Sequence, residues 1–414
     1  MTNNTLPIIT LKKGKTESLR RFHPWIFSGA IAQLPRDLQE GDLVEVNSYN
    51  GDFLALGHFQ NGSIAVRILS FERCNIDEDF WRKRIREAWN LRQSLQLLRN
   101  DNNIFRLIHG EGDLLPGLIV DIYGHTAVMQ AHSTGMHRSR EIIAHALIAE
   151  TQGIVENMYY KSDTTLPLDT TSDQREGFLV GNTQDETATE NGLTFHIDWL
   201  RGQKTGFFVD QRENRALLEK YSLGKRVLNM FCYTGGFSVY ALRGGANEVV
   251  SVDASQKAIQ LTEENVALNF SSTTQAVNVS PDSTHKAFTE DAFHFLDKLP
   301  YPDKAGNEEK SFDIIVLDPP AFAKHRSAIR NALKGYTRLN LAAMKKIAPG
   351  GILFTFSCSQ AISAEQFRLA VFTAAAQSGR HVSILHQLHQ PADHPINIFH
   401  PEGEYLKGLV LHVE

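Results

Sequence analysis

Apolar and polar residues change rhythm several times along the chain, and each change marks a different kind of element. In the first 70 or so residues the apolar positions come in short runs, Gly41–Asn47, Phe53–Phe59 and Ile64–Leu69, punctuated by Asn50–Gly51 and Asn61–Gly62. Asn-Gly tolerates the left-handed backbone of tight hairpin turns, so this stretch predicts a small β-barrel or sandwich. From Asp77 to Leu98 the period lengthens, with Phe80, Ile85, Ala88, Trp89, Leu91, Leu95 and Leu98 at helical spacing. Strand-like runs follow at Ile104–Ile108, Leu118–Ile122 and Ala127–Ala131, with Asp121–Gly124 as the turn between the last two, and then a helix over Met136–Ala149. These elements predict a second, small α+β module over residues 73–190, in which the polar stretch Lys161–Glu176 reads as a loop or boundary insertion.

Beyond Gly192 strands and helices alternate. Strands are predicted at Arg226–Met230, Glu248–Val252, Phe312–Leu317 and Gly351–Phe356. Helices are predicted at Gln211–Tyr221, Phe237–Arg243, Ser255–Asn269, Asp291–Leu299, Ile329–Ile347 and Ala364–Ser378, with polar loops at Ser271–His285 and Pro302–Lys310. Such alternation implies a parallel sheet covered on both faces, so residues 191–414 read as an α/β, Rossmann-like domain.

Composition narrows the function classes. A chain of 414 residues exceeds a single core, and a net charge of -5 means that any nucleic-acid site must be a local basic patch. The three cysteines, Cys74, Cys232 and Cys358, form no CxxC pair, which argues against a disulfide framework or a zinc site. The C-terminal histidines His381, His386, His389, His394, His400 and His412 match no paired ligand spacing on a helix, so no metal is expected. The N-terminus lacks a signal-peptide core and no run nears the roughly 18 apolar residues of a membrane span, so a cytoplasmic location is the expectation.

Four pieces in the α/β half carry chemistry. Val227–Phe237 is a strand running into a Gly-bearing turn, Phe231-Cys232-Tyr233-Thr234-Gly235-Gly236, and a helix; glycines there would let the backbone approach a ligand closely. The strand Glu248–Val252 delivers Asp253, which reads either as a ribose-binding carboxylate or as the N-cap of the helix that follows. Asp291 stands beside a helix start, and Phe312–Leu317 delivers Asp318-Pro319-Pro320 at a carboxyl edge. The G-x-G-x-x-G fingerprint of dinucleotide binding is missing, and S-adenosylmethionine (SAM), having no phosphates, does not need it. The order resembles class I SAM-dependent methyltransferases, and Lys204–Arg212, with Phe208, Asp210 and Gln211, is similar to the extra cofactor-capping segment of their RNA-modifying members.

Cys358, in Thr355-Phe356-Ser357-Cys358-Ser359, follows an apolar strand and so shares the carboxyl edge with Asp318. A lone cysteine is ordinarily a small buried hydrophobe; here the strand-end position and flanking serines favour a nucleophile. A thiolate adding to C6 of cytosine makes C5 nucleophilic enough to take a methyl group, and methylation at a base nitrogen needs no thiol. Such a thiol needs a nearby positive group or helix N-terminus. Cys232 reads as packing within the turn and Cys74 as structural.

The chain resembles the bacterial ribosomal large-subunit methyltransferase I family, which makes 5-methylcytosine in 23S rRNA. The matching stretches are Lys204–Arg215, Asn229–Phe237, Asp318–Phe322, Lys334–Tyr336, Phe356–Ser359, Ala392–Pro395 and Pro401–Gly408. The resemblance implies a cofactor site with Asn229, Phe231, Tyr233, Thr234, Gly235, Gly236, Asp253, Asp291, Asp318 and Pro319. It implies Cys358 as nucleophile and Asp318 on the polar edge of a flipped cytosine, and it leaves a homodimer open. It also implies that residues 1–72 form a PUA domain, where Lys12, Lys13, Lys15, Arg20 and Arg21 would neutralise RNA phosphates; a solvated strand edge is the other reading of those charges. A guanine or protein methyltransferase and a non-catalytic RNA-binding assembly factor are the competing functions.

Overall fold

The computed structural model describes residues 6–166, 174–270, 283–302, 311–323 and 325–414. The chain forms two compact units: Met1–Asn191 with Ile197–Val209 and Ala392–Gly403, and Gly192–His196 with Asp210–Pro391 and Glu404–Glu414. Much of the expected loops Lys161–Glu176, Ser271–His285 and Pro302–Lys310 lies outside the described residues. Among the described residues no helix is long and apolar enough to cross a membrane.

The first unit opens with β1 (Ile8–Leu11), α1 (Glu17–Arg20), β2 (Trp25–Phe27), β3 (Ile31–Gln33), β4 (Leu43–Asn47), β5 (Phe53–Phe59) and β6 (Ile64–Ser70). They form a six-stranded sheet in the order β2-β6-β5-β4-β1-β3, antiparallel except for β1 beside β4. Alternation shows in β4, where Val44 and Val46 are buried with Ile9, Val66 and Ile68. Gly51 and Gly62 have positive φ, as the two Asn-Gly turns require. The sequence pattern missed β1, β2 and β3 because three or four residues are too few for alternation to register.

The same unit continues with α2 (Glu78–Ser94), β7 (Ile104–His109), β8 (Leu118–Tyr123), β9 (Thr126–Ala131), α3 (Thr134–Arg138), α4 (Arg140–Glu150), β10 (Asn157–Lys161), β11 (Glu176–Val180) and β12 (Thr187–Glu190). A five-stranded sheet, β11-β10-β9-β8-β7, shares one core with α2 and α4 through Trp81, Ile85, Trp89, Ile143 and Leu147. Asp77 caps α2 by accepting the Phe80 amide at 3.2 Å. The helix expected over Met136–Ala149 is two helices meeting at Ser139. The turn expected at Asp121–Gly124 needs correcting. Asp121 lies inside β8, fully buried, where Arg106 pairs both its oxygens at 2.8 Å and Thr205 Oγ1 donates to it at 2.7 Å. A carboxylate survives in a strand interior when paired this completely.

The second unit contains β13 (Leu193–His196), α5 (Arg212–Tyr221), β14 (Arg226–Met230), α6 (Gly236–Arg243), β15 (Glu248–Asp253), α7 (Gln256–Phe270), β16 (Thr284–Thr289) and α8 (Ala292–Lys298). It continues with β17 (Phe312–Leu317), α9 (Ile329–Lys346), β18 (Ile347–Ser357), α10 (Ala364–Ser378), β19 (Val382–Leu388) and β20 (Lys407–Val413). Its seven-stranded sheet runs β16-β15-β14-β17-β18-β20-β19. Successive residues of each strand face opposite cores. Val227, Val249, Ile314 and Val316 pack with α5 and α6, whereas Leu228, Val250, Ile315 and Leu317 pack with α8, α9 and α10. The expected wholly parallel sheet is corrected at one side, where β20 runs antiparallel to both β18 and β19. β16, β19 and β20 were not foreseen: His285 lies in β16 rather than in a loop, and the histidines of Val382–Leu388 obscured a strand.

Candidate active site

Open α/β sheets bind ligands beyond the carboxyl ends of their strands, and three neighbouring strand ends hold the sequence candidates here. Register sets Met230 of β14 against Leu317 of β17, and Leu317 against Thr355 of β18. The turn after β14, Asp318 after β17 and Cys358 after β18 therefore leave the sheet side by side, spanning two strand spacings of about 4.8 Å each. Cys358 is half-buried, neither sealed nor fully exposed.

The turn after β14 is tightly wound. Phe231, Tyr233 and Gly235 have φ of 60°, 48° and 79°, the first two in a left-handed region unusual for non-glycine residues. Neighbours hold this strained backbone: Cys232 N donates to Val252 O at 3.1 Å, Thr262 Oγ1 to Tyr233 O at 3.0 Å, and Asn265 Nδ2 to Thr234 O at 2.8 Å. Both glycines also serve packing. A Cβ on Gly235 would come within 2.7 Å of Thr262, and one on Gly236 within 3.0 Å of Arg215.

Asp253 Oδ2 accepts the Tyr233 amide at 3.1 Å and Oδ1 the Ser255 amide at 2.9 Å, joining the turn to the segment before α7, where Ser255 rather than Asp253 takes the capping place by accepting the Ala258 amide at 3.3 Å. Asp291 caps α8 by accepting from Phe293 N and His294 N, both at 3.0 Å, and is exposed. These carboxylates suit hydroxyl and amine hydrogens and repel phosphates, so the edge fits a nucleoside sulfonium such as SAM rather than a dinucleotide.

Asn229, the penultimate residue of β14, is fully buried, with Nδ2 on Ser238 Oγ at 2.9 Å in a polar chain that continues through Ser251 to His285. Burial pushes His285 down to about 4, so that chain is neutral. Asp210 accepts from Tyr405 Oη at 2.6 Å, and Gln211 from Asn214 Nδ2 at 2.6 Å. Phe208 belongs to the first unit, its ring 4.9 Å from Lys204 Nζ. Burial pushes Cys232 up to about 12, as befits a packing thiol, whereas Cys74, expected to be structural, is exposed.

Two residues to which sequence reasoning gave no role hold the Cys358 loop. Tyr336 Oη lies 2.9 Å from Ser357 Oγ and 3.1 Å from Ser359 Oγ, the residues on either side of the cysteine. Lys407, at the start of β20 opposite Ser357, is buried and donates from Nζ to Ser359 O at 2.7 Å. Both lie in family-like stretches, which was their only signal in the sequence.

In the first unit Lys12, Lys13, Lys15, Arg20 and Arg21 are all exposed; Lys12 Nζ donates to Gly29 O at 3.0 Å and Arg21 pairs with Glu17. Phe22, half-exposed among them, has ring centroids 5.3 Å from Phe71 and 5.4 Å from Phe399. His394 is sealed against Asp393 and His109 in this unit, a structural position. Among the described residues no three His, Cys, Asp or Glu side chains gather as a metal-ligand set.

Comparison with known proteins agrees with this arrangement. Residues 9–71 match the PUA-like domain family, and residues 171–401 match the S-adenosylmethionine-dependent methyltransferase family. Ribosomal RNA large subunit methyltransferase I of Aeromonas hydrophila is 40% identical over 97% of this chain and 98% of its own length. The Klebsiella pneumoniae protein of that name is 36% identical over the full length of both chains. Among solved structures SMU.776, crystallised in complex with SAH, shares the fold at a TM-score of 0.80 and 21% identity, covering 98% of this chain and 100% of that one.

Proposed function

The chain belongs to the ribosomal RNA large subunit methyltransferase I family, a SAM-dependent methyltransferase family, and from that premise we propose that it makes 5-methylcytosine in large-subunit rRNA through a covalent Cys358–base adduct. The observation that carries this reading is the half-buried thiol of Cys358, one strand from Asp318 and two from the β14 turn.

Bound SAM supplies an electrophilic methyl group. Cys358 sulfur bonds to C6 of the cytosine, and the electron pair of the C5–C6 double bond shifts toward C5. C5 then bonds to the methyl carbon while the donor sulfur keeps the electrons of the broken bond. Loss of the C5 proton to a base restores the double bond as the C6–sulfur bond breaks, returning the thiolate. Asp318 would hold the polar edge of the base, with Pro319 fixing the turn that presents it. Phe231, Tyr233, Thr234, Asp253 and Asp291 would bound the cofactor on the β14–β15 side, with Asp210 and Gln211 capping it. A stacked base must be extruded to reach a strand-end thiol, so unpaired or loosened RNA is the expected substrate.

In this reading residues 1–72 bind RNA, 73–190 form the central module and 191–414 the methyltransferase, and work on rRNA places the protein in the cytoplasm. The reading is tested by mass mapping of methylated nucleosides in rRNA from cells with and without the protein. One 5-methylcytosine should vanish on deletion; an unchanged cytosine inventory with a missing methylguanosine would replace this assignment with the guanine one.

The basic and aromatic groups of the first unit make separable contributions. Replacing Lys13, Lys15 and Arg20 together by alanine should flatten the dependence of log K on log salt for single-stranded RNA by about 2, at about 0.7 per lost phosphate contact. Phe22→Ala should weaken binding by about 1–3 kcal/mol with the salt slope unchanged, since stacking releases no counterions. Filter binding across a salt series reads both.

A further inference from the structure

We propose that Lys407 is the positioning residue for Cys358, holding an ammonium against the sulfur so that a thiolate faces the substrate. The inference rests on the thiol reading above and deepens it by naming the positive group that such a thiol needs.

Lys407 stands opposite Ser357 in the β18–β20 ladder, one residue from the cysteine, although 49 positions separate Lys407 from Cys358 in the chain. Its Nζ reaches over the loop to Ser359 O at 2.7 Å. Cys358 and Glu404 are the acidic groups acting on it, both favouring its charged form. Across the loop, Tyr336 Oη is fixed by Ser357 and Ser359 and also feels the charge of the Cys358 sulfur. A lysine buried to 5% exposure is costly unless a partner offsets its desolvation, and a lone carbonyl is a weak partner for an ammonium. Burial lowers Lys407 to about 8, with Cys358 and Glu404 opposing that shift. The ammonium is therefore still mostly charged at neutral pH. By reciprocity, a thiolate that favours the ammonium is favoured by it.

A purely structural lysine would peg the loop through Ser359 O and leave the thiol's ionisation alone, so charge and hydrogen bond must be separated. Lys407→Gln keeps a donor for Ser359 O and loses the charge; Lys407→Arg keeps the charge. The readout is the pH profile of Cys358 alkylation by iodoacetamide, followed by peptide mass in the full-length protein carrying Cys74→Ser, with SAH calorimetry as the check on folding. The midpoint should rise by about one pH unit or more in Lys407→Gln and stay in place in Lys407→Arg, an opposite charge being worth 1–3 units. A Lys407→Gln protein that binds SAH normally and alkylates with the parent midpoint overturns the proposal. If Lys407→Arg fails to bind SAH, Lys407→Gln alone decides. The assay contains no RNA, so its result stands apart from whether cytosine is the substrate.

Discussion

Cys358→Ala is expected to abolish methyl transfer to RNA, by about 10³-fold or more, and to leave SAM binding close to that of the parent. The magnitude follows from the chemistry, because without addition at C6 the C5 carbon of cytosine has no adequate nucleophilicity. Selectivity for the chemical step follows from the layout. The turn expected to hold the cofactor leaves β14, and the thiol leaves β18, two strands away or about 10 Å across the sheet. Cys358→Ser should fare little better, since a hydroxyl is ionised far less readily than a thiol. Transfer of radiolabelled methyl to rRNA, run beside SAH calorimetry, measures both quantities. Activity that survives Cys358→Ala would point to an acceptor needing no covalent step, a base nitrogen or an exocyclic amine.

Arg92→Met should destabilise the first unit by about 3–5 kcal/mol, the usual cost of leaving one member of a buried ion pair behind. Arg92 is 1% exposed and fully committed: Nε donates to Arg106 O at 2.8 Å, and Nη2 to Asp113 Oδ2 at 2.8 Å and to Asp393 O at 2.7 Å. Asp393 in turn accepts the Arg106 amide at 3.0 Å. The family-like stretch Ala392–Pro395 is thus anchored by a buried cation from α2, 301 positions away in the chain, within the first unit. Loss of Arg92 should therefore show as early proteolytic cleavage within 392–403, before general degradation. Equal protection of that segment in parent and variant would deny the anchor.

The same residues show how far local pattern reaches. Helix boundaries were legible wherever caps and periodicity coincide, as in α10, where Ser363 and Gln366 form a capping box and Gly379 takes the left-handed C-terminal position. Strands buried on both faces were legible as apolar runs in β14, β15 and β17. Asp121 was misplaced because a carboxylate inside a strand makes sense only once Arg106 and Thr205 are known to meet it. Thr262 and Arg215, which leave no room for a Cβ on Gly235 and Gly236, could not be read from the turn's own residues.

Taken alone, the amino-acid order determined the alternating α/β half, the strand-to-turn motif after β14, and the arrival of Asp318 and Cys358 at strand ends, because hydrophobic period and turn chemistry are properties of neighbouring residues. Tertiary structure decided the rest: the antiparallel β20 that carries Lys407 to the cysteine loop, and the return of 392–403 to the first unit. Each of these depends on partners tens to hundreds of positions apart. Such pairings are chosen by burial and hydrogen-bond satisfaction over the whole fold, which no local window of sequence encodes.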